Sequence, residues 1–194
     1  MKVICYGDSN TYGYDPHVPF GGRYPSPWPE LLAEMTGWRV INQGENGREI
    51  PKIPVTFPMD TDLLIILLGT NDLLQLRTPE QAAAAMEHFL QNLNLQRNRI
   101  LLLAPPPMVF GEWVQDTDLI EDLVSLEKLY ETIATRLGIR FFQPDFGQRM
   151  AHDGVHLTKE GHRALAESLF HNMKEGDWFD AGNRNEGIGM FLFR

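Results

Sequence analysis

At 194 residues and 22.2 kDa, with 43% hydrophobic and 22% charged residues, the chain can bury the core of one globular domain, and no apolar run approaches the ~20 residues that span a bilayer. A formal net charge of -9 without any cluster of lysines and arginines argues against a nucleic-acid surface. The single cysteine, Cys5, rules out an internal disulfide, and the apolar run at residues 1–6 is too short for a secretion signal, so a cytoplasmic location is expected.

Residues 2–6 form the first of four near-continuous apolar runs, the pattern of a strand covered on both faces of a parallel sheet. Ser26-Pro27 opens a helix over 28–35, and Gly37 stands where its end wants a left-handed residue. A second strand covers 39–43. Pro51, Pro54 and Pro58 predict a loop or broken helix over 50–58. The third strand is 63–68, and Thr78-Pro79 opens a helix over 80–93. The fourth strand is 100–104. Leu119, Leu123, Leu126, Leu129, Tyr130, Ile133 and Leu137 then recur at helical spacing as a core-facing stripe closed by Gly138. A weaker strand, 139–142, precedes a helix over 159–173 that Thr158 opens.

Strand and helix thus alternate, which implies right-handed crossovers and a three-layer α/β sandwich, a single domain over 1–175. Beyond Lys174 the pattern fails. Residues 176–187 are polar and glycine-rich, and 188–193 turn apolar. Residues 176–194 therefore read as an extension that packs on a sheet edge or on a second copy of the chain, making a homo-oligomer the expected consequence.

Ligands of such a sheet bind beyond the carboxyl ends of its strands, where the polar clusters fall. Ser9 follows the first strand, Gly44 to Gly47 the second, Gly69-Thr70-Asn71-Asp72 the third, and Asp153-Gly154-Val155-His156 precedes the last helix. A serine hydroxyl is a poor nucleophile until a base takes its proton, and a carboxylate that fixes the base's tautomer improves it. In a tight turn, Asp153 can bond Nδ1 of His156 and leave Nε2 free for a serine from elsewhere in the fold. Each cluster also has a bland reading: a turn at Gly44 and Gly47, a backbone cap at Asn71, loop bonding at Asp8, and a chance Asp-x-x-His spacing. Their order and convergence on one rim favour chemistry.

Gly7-Asp8-Ser9-Asn10, Asn42-Gln43-Gly44-Glu45-Asn46-Gly47, Gly69-Thr70-Asn71-Asp72 and Asp153-Gly154-Val155-His156 resemble, in their usual order, blocks I, II, III and V of the SGNH (GDSL) hydrolase superfamily. The resemblance implies a flavodoxin-like α/β/α sandwich around about five parallel strands, and carboxylic ester hydrolysis without a cofactor. It also implies roles: Ser9 attacks the acyl carbon, His156 carries the proton, and Asp153 orients His156. The oxyanion would meet the N–H groups of Ser9 and Gly44 and the side-chain amide of Asn71, and losing one such donor costs on the order of 100- to 1,000-fold in turnover. One departure is Asn10, where the commonest pattern has leucine. Thr11-Tyr12-Gly13-Tyr14 and Ala104 to Met108 resemble the arylesterase-like branch, which implies a small-molecule ester with a short acyl chain.

Tyr12, Tyr14, Met108, Val109, Phe110 and Trp113 are candidate walls for the acyl pocket, and Arg23, Arg48 and Arg77 could meet an anionic alcohol group. His152, His162 and His171 are rival bases. Three alternatives stand beside the short-chain esterase. One removes acetyl groups from carbohydrates. A second is a metallophosphoesterase using Asp8, Asp72, Asp153 and His156, and a third is a catalytically silent binding domain. The α/β-hydrolase elbow is absent, because Thr11 stands where its second glycine belongs.

Overall fold

The structure is a computed structural model and describes residues 1–176 apart from 19 and 148. In chain order its elements are β1 (Lys2–Gly7), α1 (Ser9–Tyr12), β2 (Tyr14–Asp15), β3 (Gly22–Arg23), α2 (Trp28–Thr36), β4 (Arg39–Gly44), β5 (Leu63–Leu67), α3 (Thr70–Leu74), α4 (Pro79–Gln91), β6 (Ile100–Leu103), α5 (Thr117–Leu137), β7 (Arg140–Phe142) and α6 (Lys159–Glu175). A 3₁₀ turn at Arg97–Arg99 leads into β6. The main sheet is parallel in the order β4-β1-β5-β6-β7. The first strand thus lies between the second and third, the doubly wound layout whose switch point falls beside β1.

The near-continuous apolarity of the strands follows from cover on both faces. Ile4, Tyr6, Leu64, Ile66, Ile100 and Leu102 pack under α4 and α5. The alternate residues Val3, Cys5, Leu63, Ile65, Leu101 and Leu103 pack under α2 and α6. Cys5 is an inert core thiol, its pKa pushed up by burial. The caps follow the local sequence. Thr78 and Gln81 form a reciprocal capping box, and Thr158 accepts the Gly161 N–H. Gly37 and Gly138 close α2 and α5 with left-handed backbones at φ 70 and 66.

Two local features differ from expectation, the cap of α2 and an added hairpin. Pro27 caps α2 and makes no side-chain bond, so Ser26 lies one residue too early to serve. Residues 51–58 form a loop, as the three prolines predict. A two-residue hairpin, β2 with β3, projects between α1 and α2. The expected extension falls outside the described residues except for Gly176. Among the described residues, no helix is long and apolar enough to cross a membrane.

Candidate active site

β1 ends at Gly7 and the chain turns at once into α1. Its cap, Asp8, accepts the Asn10 N–H through Oδ1 at 2.9 Å. Ser9 is the first residue of this single turn, so its own N–H has no intrahelical acceptor. Residues 151–157 form the opposing loop, in which Gly154 takes φ 82 and a Cβ would come within 2.2 Å of the Val109 carbonyl. Within that loop Asp153 Oδ1 accepts the N–H groups of Val155 and His156 at 2.9 and 3.0 Å. Its Oδ2 lies 2.6 Å from His156 Nδ1, and His156 Nε2 lies 2.9 Å from Ser9 Oγ. Serine, imidazole and carboxylate thus form one hydrogen-bonded line, each nearly buried at 6%, 3% and 1% exposure. Burial alone would raise the Asp153 carboxyl. The bond to the His156 ring and the two backbone N–H groups outweigh it and hold the group at about 2.

The oxyanion donors need one correction. The Gly44 N–H donates to Asn42 Oδ1 at 2.9 Å, so it is not free for substrate. What the absent side chain of Gly44 does is admit α1, since a Cβ there would lie 2.0 Å from the Tyr12 nitrogen. Gly47, in the exposed turn that follows, has φ 74, and its N–H meets no acceptor among the described residues. Asn71 lies in the first turn of α3 and donates through Nδ2 to the Arg48 carbonyl at 3.0 Å. Its amide keeps a second N–H for another acceptor.

Two aromatic rings flank His156. The Tyr14 ring centroid is 4.6 Å from that of the imidazole, and the Trp113 ring meets it edge-on at 5.2 Å. Tyr14 comes from β2. Trp113 is placed by bonds from the N–H groups of Val109, Glu112 and Trp113 to the carbonyls of Gly154, His152 and Asp153. Trp113 also borders an open cleft of about 420 Å³ lined by Leu73, Leu74 and Leu119. The other candidate walls lie elsewhere. Tyr12 turns its ring toward the Arg23 guanidinium, 5.4 Å away. Met108 is packed in the core with Val114 and Leu123. Phe110 is exposed and makes no ring contact with His156 among the described residues. Spacing in the sequence cannot tell which aromatic of a loop faces inward, because that depends on the loop's long-range backbone bonds.

The three arginines are engaged structurally. Arg23 pairs with Glu30 and donates to the Tyr12 carbonyl. Arg48 donates to the carbonyls of Gly7 and Gln43, pairs with Glu45, and lies 4.2 Å over the Tyr6 ring. Arg77 binds Asp72 at 2.7 Å and Glu49 at 2.9 Å, while Asp72 Oδ2 accepts the Ile50 N–H. These contacts tie residues 48–50 to α3, which carries Asn71. The rival histidines lie apart from Ser9. His152 faces Glu112, His171 is exposed, and His162 is buried under Tyr24, where burial pushes its pKa down to about 3. Among the described residues, no three His, Cys, Asp or Glu side chains gather as a metal-ligand set.

Residues 5–164 match the GDSL-like lipase/acylhydrolase family. The chain belongs to this family. The hydrolase is also similar to solved structures. The aryl esterase of M. smegmatis superimposes with a TM-score of 0.72 at 23% identity, over 90% of this chain and 98% of the other. A carbohydrate acetylesterase family member from Sinorhizobium meliloti gives 0.71 at 25%, over 90% and 97%. A candidate arylesterase from Agrobacterium tumefaciens str. C58 gives 0.71 at 29%, over 90% and 98%. No protein of curated function matches the sequence. As a GDSL acylhydrolase, the protein is a carboxylic ester hydrolase.

One buried charge beside the site has a measurable consequence. Burial pushes the Asp8 carboxyl up to about 6, against the pull of the Asn10 N–H, and Oδ2 has no hydrogen-bond partner. A folded-state pKa above the unfolded value means that the native hydrolase binds the extra proton, so this group's contribution falls as pH rises from about 4 to 6. The shift corresponds to on the order of 3 kcal/mol once the carboxylate is ionised. Asp8→Asn keeps the Oδ1 cap and cannot ionise. Its Tm relative to wild type is expected to be higher at pH 8 than at pH 4, and an identical difference at the two values would refute the assignment.

Proposed function

We propose that the hydrolase cleaves short-chain acyl esters through an acyl-enzyme on Ser9. The observation that carries this reading is the buried line from Asp153 through His156 to Ser9, at 2.6 and 2.9 Å. In the first half-reaction Ser9 Oγ bonds to the acyl carbon while His156 Nε2 takes its proton, and Asp153 stabilises the imidazolium. His156 then protonates the leaving alcohol. Water, deprotonated by the same nitrogen, attacks the acyl-enzyme to release the acid and restore Ser9. The oxyanion is met by the Ser9 N–H and the Asn71 amide.

The close flanking of His156 by Tyr14 and Trp113 supports a small acyl group. Turnover is expected to fall steeply as acyl chains pass roughly four to six carbons, since each methylene that an apolar pocket discriminates is worth ~1–3 kcal/mol. A series of p-nitrophenyl esters from acetate to decanoate tests this, and equal kcat/KM across it would overturn the short-chain assignment. A second reading, removal of acetyl groups from carbohydrates, is favoured by the half-exposed Trp113, whose ring beside the open cleft offers a sugar a stacking face. Acetate released from acetylated xylan at a rate matching p-nitrophenyl acetate would select it.

A further inference from the structure

Asn10 is 1% exposed, yet both ends of its carboxamide are satisfied. Nδ2 donates to the Val155 carbonyl at 3.1 Å, and Oδ1 accepts the Leu157 N–H at 2.9 Å. Those two backbone groups stand immediately before and after His156, while Asn10 itself immediately follows Ser9. The side chain therefore acts as a peptide surrogate, offering one donor and one acceptor at fixed separation to a loop 145–147 residues away in sequence. Apart from the Ser9–His156 contact, these are the only hydrogen bonds between α1 and residues 153–157 among the described residues. α1 is held rigid in turn, because Asp8 Oδ1 accepts the Asn10 N–H.

We infer that Asn10 is a positioning residue that sets the distance between Ser9 Oγ and His156 Nε2. The inference rests on the proposed roles of those two groups. Leucine has the same branched heavy-atom skeleton, with bulkier methyl ends, and would leave the Val155 carbonyl and Leu157 N–H, both in buried residues, without partners. The loop would relax and proton transfer would lose its alignment, a class of change for which a displacement of ~1 Å costs about 100-fold. An aspartate in the same place has the donor only while protonated, so its effect depends on pH.

The test compares wild type, Asn10→Leu and Asn10→Asp on p-nitrophenyl acetate, with competent sites counted by titration and folding followed by circular dichroism. Asn10→Leu is expected to lower kcat about 10- to 100-fold with KM within about threefold. The rate at which diethyl p-nitrophenyl phosphate phosphorylates Ser9 should fall by the same factor. Asn10→Asp should regain activity relative to wild type as pH falls from 8.5 to 5.5. A folded Asn10→Leu variant that keeps kcat within about twofold, or loses only KM or titratable sites, would overturn the inference. Should that variant not fold, an Asn10→Asp deficit that is constant with pH would do the same. Activity retained by Ser9→Ala would instead remove the reading of the site as a whole.

Discussion

Replacing Ser9 with alanine is expected to lower kcat/KM for p-nitrophenyl acetate by about 10,000-fold or more while leaving the melting curve in place. The hydroxyl's hydrogen bond is to His156 Nε2, so its removal deletes the attacking atom and that one bond, while the ring stays held through Nδ1 by Asp153. Activity should persist in EDTA, because nucleophile, base and orienting carboxylate all come from the chain. The measurement is a steady-state assay of the purified variant beside wild type, with and without the chelator. Retained activity in Ser9→Ala, or loss of wild-type activity with EDTA, would return the metal-dependent alternative.

The second large effect is expected at Asp153. In Asp153→Asn the Oδ1 atom can keep the N–H groups of Val155 and His156 that shape the turn. The new amide would direct a donor at His156 Nδ1, which must then act as acceptor. The ring proton moves to Nε2, facing Ser9 Oγ, and the base has no lone pair to offer the hydroxyl. A fall in kcat of about 10,000-fold with near-native folding is the expected outcome. Asp153→Ala should lose the turn as well and melt earlier. The wild-type carboxylate, held at about 2, stays ionised through the working range of the enzyme. Its folded-state value lies below the unfolded one, so the stability it contributes is present above pH ~4 and is lost as pH falls toward 2. A kcat for Asp153→Asn within about tenfold of wild type would show that tautomer control is not the role of this group.

Much of this arrangement was legible in the sequence, and the reasons are local. β1, β5 and β6, covered on both faces, read as near-continuous apolar runs, and the edge strands β4 and β7 as shorter ones. The caps at Thr78 and Thr158 and the closing glycines at 37 and 138 marked helices through chemistry confined to a few residues. The Asp153–His156 pair was legible because both partners lie within one turn. Other features depended on geometry that spacing does not encode. β2 and β3 are two residues each, shorter than any alternation can reveal, yet β2 brings Tyr14 onto His156. Gly44 looked like an amide for the oxyanion, but its N–H is consumed by Asn42, two residues earlier, while its bare Cα accommodates α1. Met108 and Phe110 share a segment with Trp113, and only the backbone bonds to residues 152–154 decide that Trp113 is the one turned to the base. Asn10 stood out as a departure from the common pattern, and its two partners across the cleft could be seen only once the loops were in place.

Ser9 leaves the end of an interior strand of the sheet, and the imidazole it meets arrives 147 residues later in the chain. His156 is therefore translated 147 residues after Ser9, and until the loop that bears it is in place the proposed nucleophile lacks its base. A partly made or partly unfolded chain holds an ordinary serine. With the roles proposed for Ser9 and His156, ester cleavage reports that β1 has neighbours on both sides and that the loop bearing His156 has closed over α1.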